Sequence, residues 1–469
     1  METSNNRQRV AVIGGGLAGL AAALYLARSK SMDVHVFERS AVPGGRARTT
    51  EKNGLLFNLG AHALYARGAA HGVLDELGIP YVGGMPALTG NEFIVDGRRL
   101  TMPTGAGTLL AHADFTLREK WELLRVFIAL QSAGKNPTGG DRAQQSARAW
   151  LHRLCRSPRV RQFFEGMFRL TTYAADLNLL SADAAIAQFR QSGSGVIYLD
   201  GGWQTLIEGL ARANRALGTK LHTNAGVANL QRTSNGRVAL RFARETPIGM
   251  NELRNAEFDC VLLACDPTNA ARLARDLDVR VDGGKVIPVR AACFDVGLTS
   301  LSPSMGLVLD LDRRLYLSVH SNSARLVSDS VRAKHSGAAL IQLAKYLHRD
   351  ESPDDARAEM ESLLDTVQPG WRTRVIEAQY LPRIAVAQDL PDATRGGLAG
   401  RTRVDHGADA GVYFAGDWVG DHGLLSDAAL ASARLAAERI LARPIAIQRA
   451  TESLPAQHLI KTGAVAFVR

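Results

Sequence analysis

The sequence predicts an α/β fold built on a buried parallel sheet, and three observations predict it. Val10-Ala11-Val12-Ile13 is a short, wholly apolar, β-branched run of the kind that lies inside such a sheet. Gly14-Gly15-Gly16-Leu17-Ala18-Gly19 follows at once and leads into Leu20, Leu24 and Ala27 at helical spacing. A second apolar run, Val34-His35-Val36-Phe37, ends in an acid, Glu38. Strand, glycine turn, helix, strand and acid is the order of a dinucleotide-binding βαβ unit.

Each part of that unit has a physical task. Gly14 permits the tight turn, Gly16 lets the backbone approach a pyrophosphate, and Gly19 lets the helix pack closely on the strand. The N–H groups of Leu17 and Ala18 belong to a helix N-terminus, which favours phosphate. Glu38 would accept hydrogen bonds from an adenosine ribose and repel a 2′-phosphate. FAD and NAD share this fingerprint, so the next segment decides between them. Arg39-Ser40-Ala41-Val42-Pro43-Gly44-Gly45-Arg46 brings a second glycine pair between arginines, where an NAD-type dehydrogenase would continue into a helix. The pair suggests backbone close to a ligand with Arg46 near its phosphates or ring; read alone, it is more readily a surface turn with two solvated arginines.

Composition bounds the rest. The chain has 469 residues, 46% hydrophobic and 22% charged, with mean hydropathy −0.07, which is enough for two or three folded domains and excludes a disordered chain. No apolar run approaches the roughly 18–20 residues that span a bilayer, and the N-terminus lacks a secretory signal, so the expected location is cytoplasmic. The net charge of +10 comes mostly from dispersed arginines without a basic run or stripe, so no nucleic-acid partner is expected. Four irregularly spaced cysteines, Cys155, Cys260, Cys265 and Cys293, fit reduced thiols, and no metal-ligand cluster is legible.

With these residues in place, the sequence resembles the flavin-dependent superfamily of amine oxidases, protoporphyrinogen oxidases and phytoene desaturases, with phytoene-desaturase-like proteins nearest in appearance. The resemblance rests on Gly14 to Gly19, Glu38-Arg39, Gly44-Gly45-Arg46, Phe57-Asn58-Leu59-Gly60-Ala61-His62 and Val412-Tyr413-Phe414-Ala415-Gly416-Asp417-Trp418, and it spans the chain. It implies a glutathione-reductase-like, Rossmann-like domain holding non-covalent FAD. By position it implies that Gly416 and Asp417 meet the ribitol or phosphate and that Val227 pairs through its backbone with adenine. It implies a flavin-facing loop at Gly60, Ala61 and His62. A helix beginning near Leu425 and Ser426, with Ser426 and Asp427 as caps, would present its positive end to the flavin.

The resemblance also implies a domain built from pieces. Residues 7–82, 195–270 and 395–442 carry the flavin motifs. Residues 83–194 and 271–394 would form an α+β substrate domain with a helical part, and 443–469 a tail. Within the substrate part, Phe93 to Leu100 with Asp96-Gly97 predicts a hairpin, and Asp355 to Val367 predicts a helix stopped by Gln368-Pro369-Gly370. Trp121, Leu124 and Ile128 form one helical stripe flanked by Arg118, Lys120 and Arg125. Core packing is the favoured reading of that stripe, and peripheral membrane contact is the alternative.

The chemistry expected is two-electron oxidation of a hydrophobic small molecule, a dehydrogenation or desaturation by hydride transfer to flavin N5. The electron acceptor is left open between oxygen, quinone and others. His62 is the catalytic candidate, with the closing of a turn or bonding to cofactor as the competing reading; His422 and Asp421 carry the same ambiguity. Amine oxidases of the superfamily place a lysine on a central strand and an aromatic cage near the last helix. Here the strand Val289 to Val296 has no lysine and the cage position falls on Leu424. An amine or amino-acid oxidase is therefore the alternative, and a flavoprotein with a structural cofactor is the other.

Overall fold

The computed structural model describes residues 7–133, 140–245, 251–281 and 286–443. Five strands pair in parallel in the order Lys220–His222, Met32–Phe37, Gln8–Ile13, Cys260–Leu263, Val412–Phe414. The predicted apolar runs lie at the centre, with Val10, Ala11, Val12 and Val36 fully buried, and so are Val261 and Leu262 on the strand beside Gln8–Ile13. Helix Leu17–Arg28 packs on helix Leu425–Leu441, and the alanines on both, Ala21 to Ala23 and Ala433, Ala436 and Ala437, bring the two backbones close. The sheet thus joins strands from the two ends of the chain.

A second sheet of seven strands runs in the order Val375–Ala387, Val289–Leu298, Ala339–Leu347, Leu315–Ser318, Leu307–Asp310, Glu92–Val95, Arg98–Thr101. Its last two strands are the predicted hairpin, with Asp96 at φ 51° and Gly97 at φ 69°, the left-handed pair that a two-residue turn requires. The predicted helix is Ala356–Val367, and it buries Met360, Leu363 and Leu364 against one face of this sheet. Helices Leu117–Ser132, Ala147–Leu154, Pro158–Thr172 and Ala182–Ser192 share a core with the other face. The expected tail lies outside the described residues from position 444 onward.

Two expectations are corrected. Helix Leu117–Ser132 buries Glu122, Leu123, Val126 and Leu130, while Trp121 is 64% and Ile128 57% exposed and Leu124 is half-buried, so the stripe read as core faces outward. The helix has apolar residues on two faces, and Leu123, Val126 and Leu130 meet the core instead. The final helix starts at Leu425 after Leu424, without a side-chain cap. Asp427 lies one turn too far in and is turned away, accepting from the Ala70 N–H at 2.7 Å, so it caps helix Ala69–Glu76.

Candidate functional site

One cavity of about 1260 Å³ is lined by residues of both sheets. At one end is the glycine loop. Gly14 has φ +115°, and a Cβ there would stand 2.4 Å from the Ala264 carbonyl oxygen; a Cβ on Gly19 would meet the Gly14 oxygen at 1.9 Å. Gly16 differs, because its nearest neighbour would be the Gly44 oxygen at 4.0 Å, and it opens on the cavity. Helix Leu17–Arg28 starts there with no side-chain cap, leaving first-turn N–H groups for a ligand. The Gly44 N–H donates to the Gly15 carbonyl at 2.9 Å, joining the two glycine turns in one cradle.

Glu38 fixes this cradle from below. Its carboxylate accepts from Gly15 N–H at 2.8 Å and from Ser40 N–H at 2.9 Å. Each oxygen keeps a second lone pair for a ribose hydroxyl. Val227 and Arg39 line the same end, beside Arg272, whose guanidinium donates to the Val227 carbonyl at 3.4 Å.

Midway along the cavity, Arg46 makes a two-pronged pair with Asp417 at 2.8 and 2.6 Å. Burial alone would raise the Asp417 carboxyl, but the Arg46 guanidinium outweighs it and holds the group below the usual carboxylate range. Asp417 also accepts from the Gln388 N–H at 3.0 Å, and Arg46 donates to the Val386 carbonyl at 2.9 Å. Gly416 reaches φ +145° at this turn. Leu425 and Ser426 line the wall at the uncapped start of the last helix, and Leu425 holds φ 55°, a strained backbone for leucine.

Of the residues expected at the site, Gly14, Gly16, Leu17, Ala18, Glu38, Arg39, Gly45, Arg46, Ala61, His62, Val227, Gly416, Asp417, Leu425 and Ser426 line this cavity. Gly19 and Gly60 stand behind the wall; a Cβ on Gly60 would meet Ile384 at 2.7 Å. His62 donates from Nδ1 to the Gly60 carbonyl at 2.8 Å, so it closes its own turn, and burial pushes its pKa down. Asp421 and His422 are exposed and pair with each other, away from the lining. Cys265 and Cys293 also line the cavity, and burial pushes the Cys265 thiol up to about 12 and that of Cys293 higher still, so neither is a ready thiolate.

Sequence reasoning missed the far wall. Tyr173, Tyr198, Tyr316 and Ser318 line it, with Leu170, Leu307 and Ile384 nearby. The spacing of Tyr316 and Ser318 in the strand Leu315–Ser318 was a signal that both face one way. Arg290 was also missed; it lines the cavity with no hydrogen-bonding partner among the described residues. No lysine is among the lining residues. On the same face of the sheet as Ser318, Gln342, Asp295 and Gln379 follow it in register across four strands, all buried. Burial drives the Asp295 carboxyl well above its usual range, and its Oδ1 has no hydrogen-bond partner among the described residues.

The donor set therefore fits FAD: an open glycine cradle, an acid beside it, arginines along the channel and a second uncapped helix end. Comparison with known proteins agrees. The chain is 33% identical over 119 residues to protoporphyrinogen oxidase 2 of Arabidopsis thaliana, 25% of this chain and 23% of that protein. It is 42% identical over 60 residues to the zeta-carotene-forming phytoene desaturase of Myxococcus xanthus, 13% and 11% of the two chains. The chain thus spans about a quarter or less of these relatives' length. In fold it resembles the cyclohexylamine oxidase of Brevibacterium oxydans, with TM-score 0.67 and 16% identity over 93% of this chain and all of that one (100%). Residues 17–282, more than half of the chain, match the family described as flavin containing amine oxidoreductase. The protein belongs to that family, and FAD is the cofactor its glycine cradle serves.

Proposed function

We propose that the protein is an FAD-dependent oxidoreductase that dehydrogenates a largely apolar small molecule. The observation that carries this reading is the continuity of one cavity from the glycine cradle, past the Arg46–Asp417 pair, to a wall of tyrosines and aliphatic side chains. Bound FAD supplies a two-electron acceptor for a hydride leaving substrate carbon. The chain's own residues bind, orient and exclude water. Tyr173 donates to the Ala61 carbonyl at 3.1 Å and His62 to that of Gly60, so both anchor the loop between cofactor end and substrate end. Leu170, Ile384 and Leu425 line the cavity with aliphatic surface. His62 serves here as a positioning group.

An amine oxidase is the less supported reading. Buried Lys345, on the strand next to Val289–Leu298, binds Glu359 at 2.5 and 2.6 Å on the helix side of the sheet and is absent from the lining. Purified protein should carry an FAD absorbance spectrum that lipid or polyene reductants bleach anaerobically. Bleaching by amines would favour the amine oxidase, an FAD that no reductant bleaches would mean a structural cofactor, and colourless protein that takes up no FAD would sink the proposal.

The outward face of helix Leu117–Ser132 suits peripheral contact with an anionic lipid surface. Leu117 is 85% exposed, Trp121 and Ile128 lie along the same face, and Arg118 and Arg125 flank them. No described helix is long and apolar enough to cross a membrane. Tighter sedimentation with phosphatidylglycerol vesicles than with phosphatidylcholine vesicles is the expected result, and no binding to either overturns it.

A further inference from the structure

We propose that the cavity selects an uncharged substrate bearing a hydrogen-bonding group, a hydroxyl, carbonyl or N–H, which Tyr316, Tyr198 and Ser318 hold at the far wall. This rests on the oxidoreductase reading above and narrows its substrate class. Tyr316 and Ser318 come from one strand and Tyr198 from Val196–Leu199. The Tyr198 and Ser318 hydroxyls are 3.3 Å apart, and the Tyr316 hydroxyl is 2.9 Å from His320 Nε2. The Tyr198 ring lies flat on the His320 ring, with centroids 3.7 Å apart and planes within 14°.

His320 is 1% exposed and does not line the cavity, so it acts through Tyr316. Burial, with His62 adding to it, pushes the imidazole down to about 3, and burial keeps the phenols of Tyr198 and Tyr316 protonated. The wall therefore presents oriented dipoles and no net charge. An ammonium or carboxylate placed there would lose its hydration and find no counter-ion. A plain hydrocarbon would leave the hydroxyls without a ligand partner.

The charged lining residues lie at the other end. Glu38, Arg39, Arg46, Arg48, Asp266, Arg272 and Asp417 surround the cradle and channel, Arg48 lying against Gly44. Arg290 belongs with them: it stands opposite Ala385, the neighbour of Val386 whose carbonyl takes Arg46.

The test uses the FAD-loaded protein and four probes of one shape, 2-naphthol, naphthalene, 2-naphthoate and 2-naphthylmethylammonium, with binding read from naphthyl fluorescence and the flavin band. In the unaltered protein 2-naphthol should bind about fivefold more tightly than naphthalene, the scale of one buried hydrogen bond, and both ions more weakly than naphthalene. Tyr316→Phe should bring 2-naphthol to the level of naphthalene. His320→Gln should narrow the ratio of the two dissociation constants, which a general loosening of packing would not change. Equal binding of 2-naphthol and naphthalene, tighter binding of either ion, or binding of none of the four overturns the inference. Because those outcomes need no variant, a misfolded variant does not shield it. Protein that takes up no FAD would instead sink the oxidoreductase reading.

Discussion

The two ends of the cavity are built on different principles. The cofactor end is made from backbone: glycines at 14, 16, 44 and 416, two uncapped helix starts, and charges that pair across the channel. The substrate end is made from side chains on strands of two sheets, Tyr198 on one and Tyr316 and Ser318 on the other, with a neutral histidine behind them. Backbone sites recognise what every user of the cofactor shares, whereas side-chain walls can change ligand without disturbing the fold. The difference teaches that cofactor and substrate binding should be separable by mutation.

The sharpest break of that comparison lies within the glycine loop itself. Gly19→Val should abolish folding, because its Cβ has no room against the Gly14 carbonyl, whereas Gly16→Val should fold and fail to retain FAD, because its Cβ points into the open cradle. Circular dichroism and bound-flavin content together check this; a Gly16 variant that keeps FAD would break it. Next in size, Asp417→Asn should cost about 2 kcal/mol in FAD binding, roughly thirtyfold, by weakening the charge-assisted pair with Arg46. Equilibrium dialysis measures it, and 2-naphthol preference should survive in protein saturated with FAD.

A smaller effect probes the sheet that carries part of the substrate wall. Asp295 is held protonated by burial, while an unfolded carboxyl ionises from about pH 4 upward, so the native state loses stability as pH rises above that point until Asp295 itself ionises. Asp295→Asn should equal the unaltered protein near pH 4 and exceed it increasingly toward pH 8, on the order of 2–5 °C in Tm. A Tm gap that shrinks as pH rises would contradict this. Smallest of all, Trp121→Ser should change stability by less than about 0.5 kcal/mol, since its side chain is outside the core, while weakening vesicle binding.

How much was legible in the sequence follows from the same contrast. Gly14 and Gly45 were readable because their φ of 115° and 54° favours glycine, Gly16 because a Cβ there would point into the open cradle, and Asp96-Gly97 because the turn needs two left-handed residues. Trp121 was misread because helical spacing groups residues on a face without saying which face meets the core. Asp427 was misread because a good capping residue near a helix start can serve a different helix, here the one opening at Ala69. Tyr198 and Tyr316 lie more than a hundred positions apart in the sequence, and nothing in either segment alone announces that strands of two different sheets meet at one wall.

The strand order has a consequence for how the molecule is made. Gln8–Ile13 and Met32–Phe37 leave the ribosome long before the strands that complete their sheet, Cys260–Leu263 as its fourth strand and Val412–Phe414 as an outer edge. A nascent chain released before that point exposes an unpaired edge along Cys260–Leu263 and lacks Asp417 to meet Arg46. The sheet is therefore open to aggregation until Val412–Phe414 has been made, and truncation before that strand should yield insoluble product in place of a smaller enzyme.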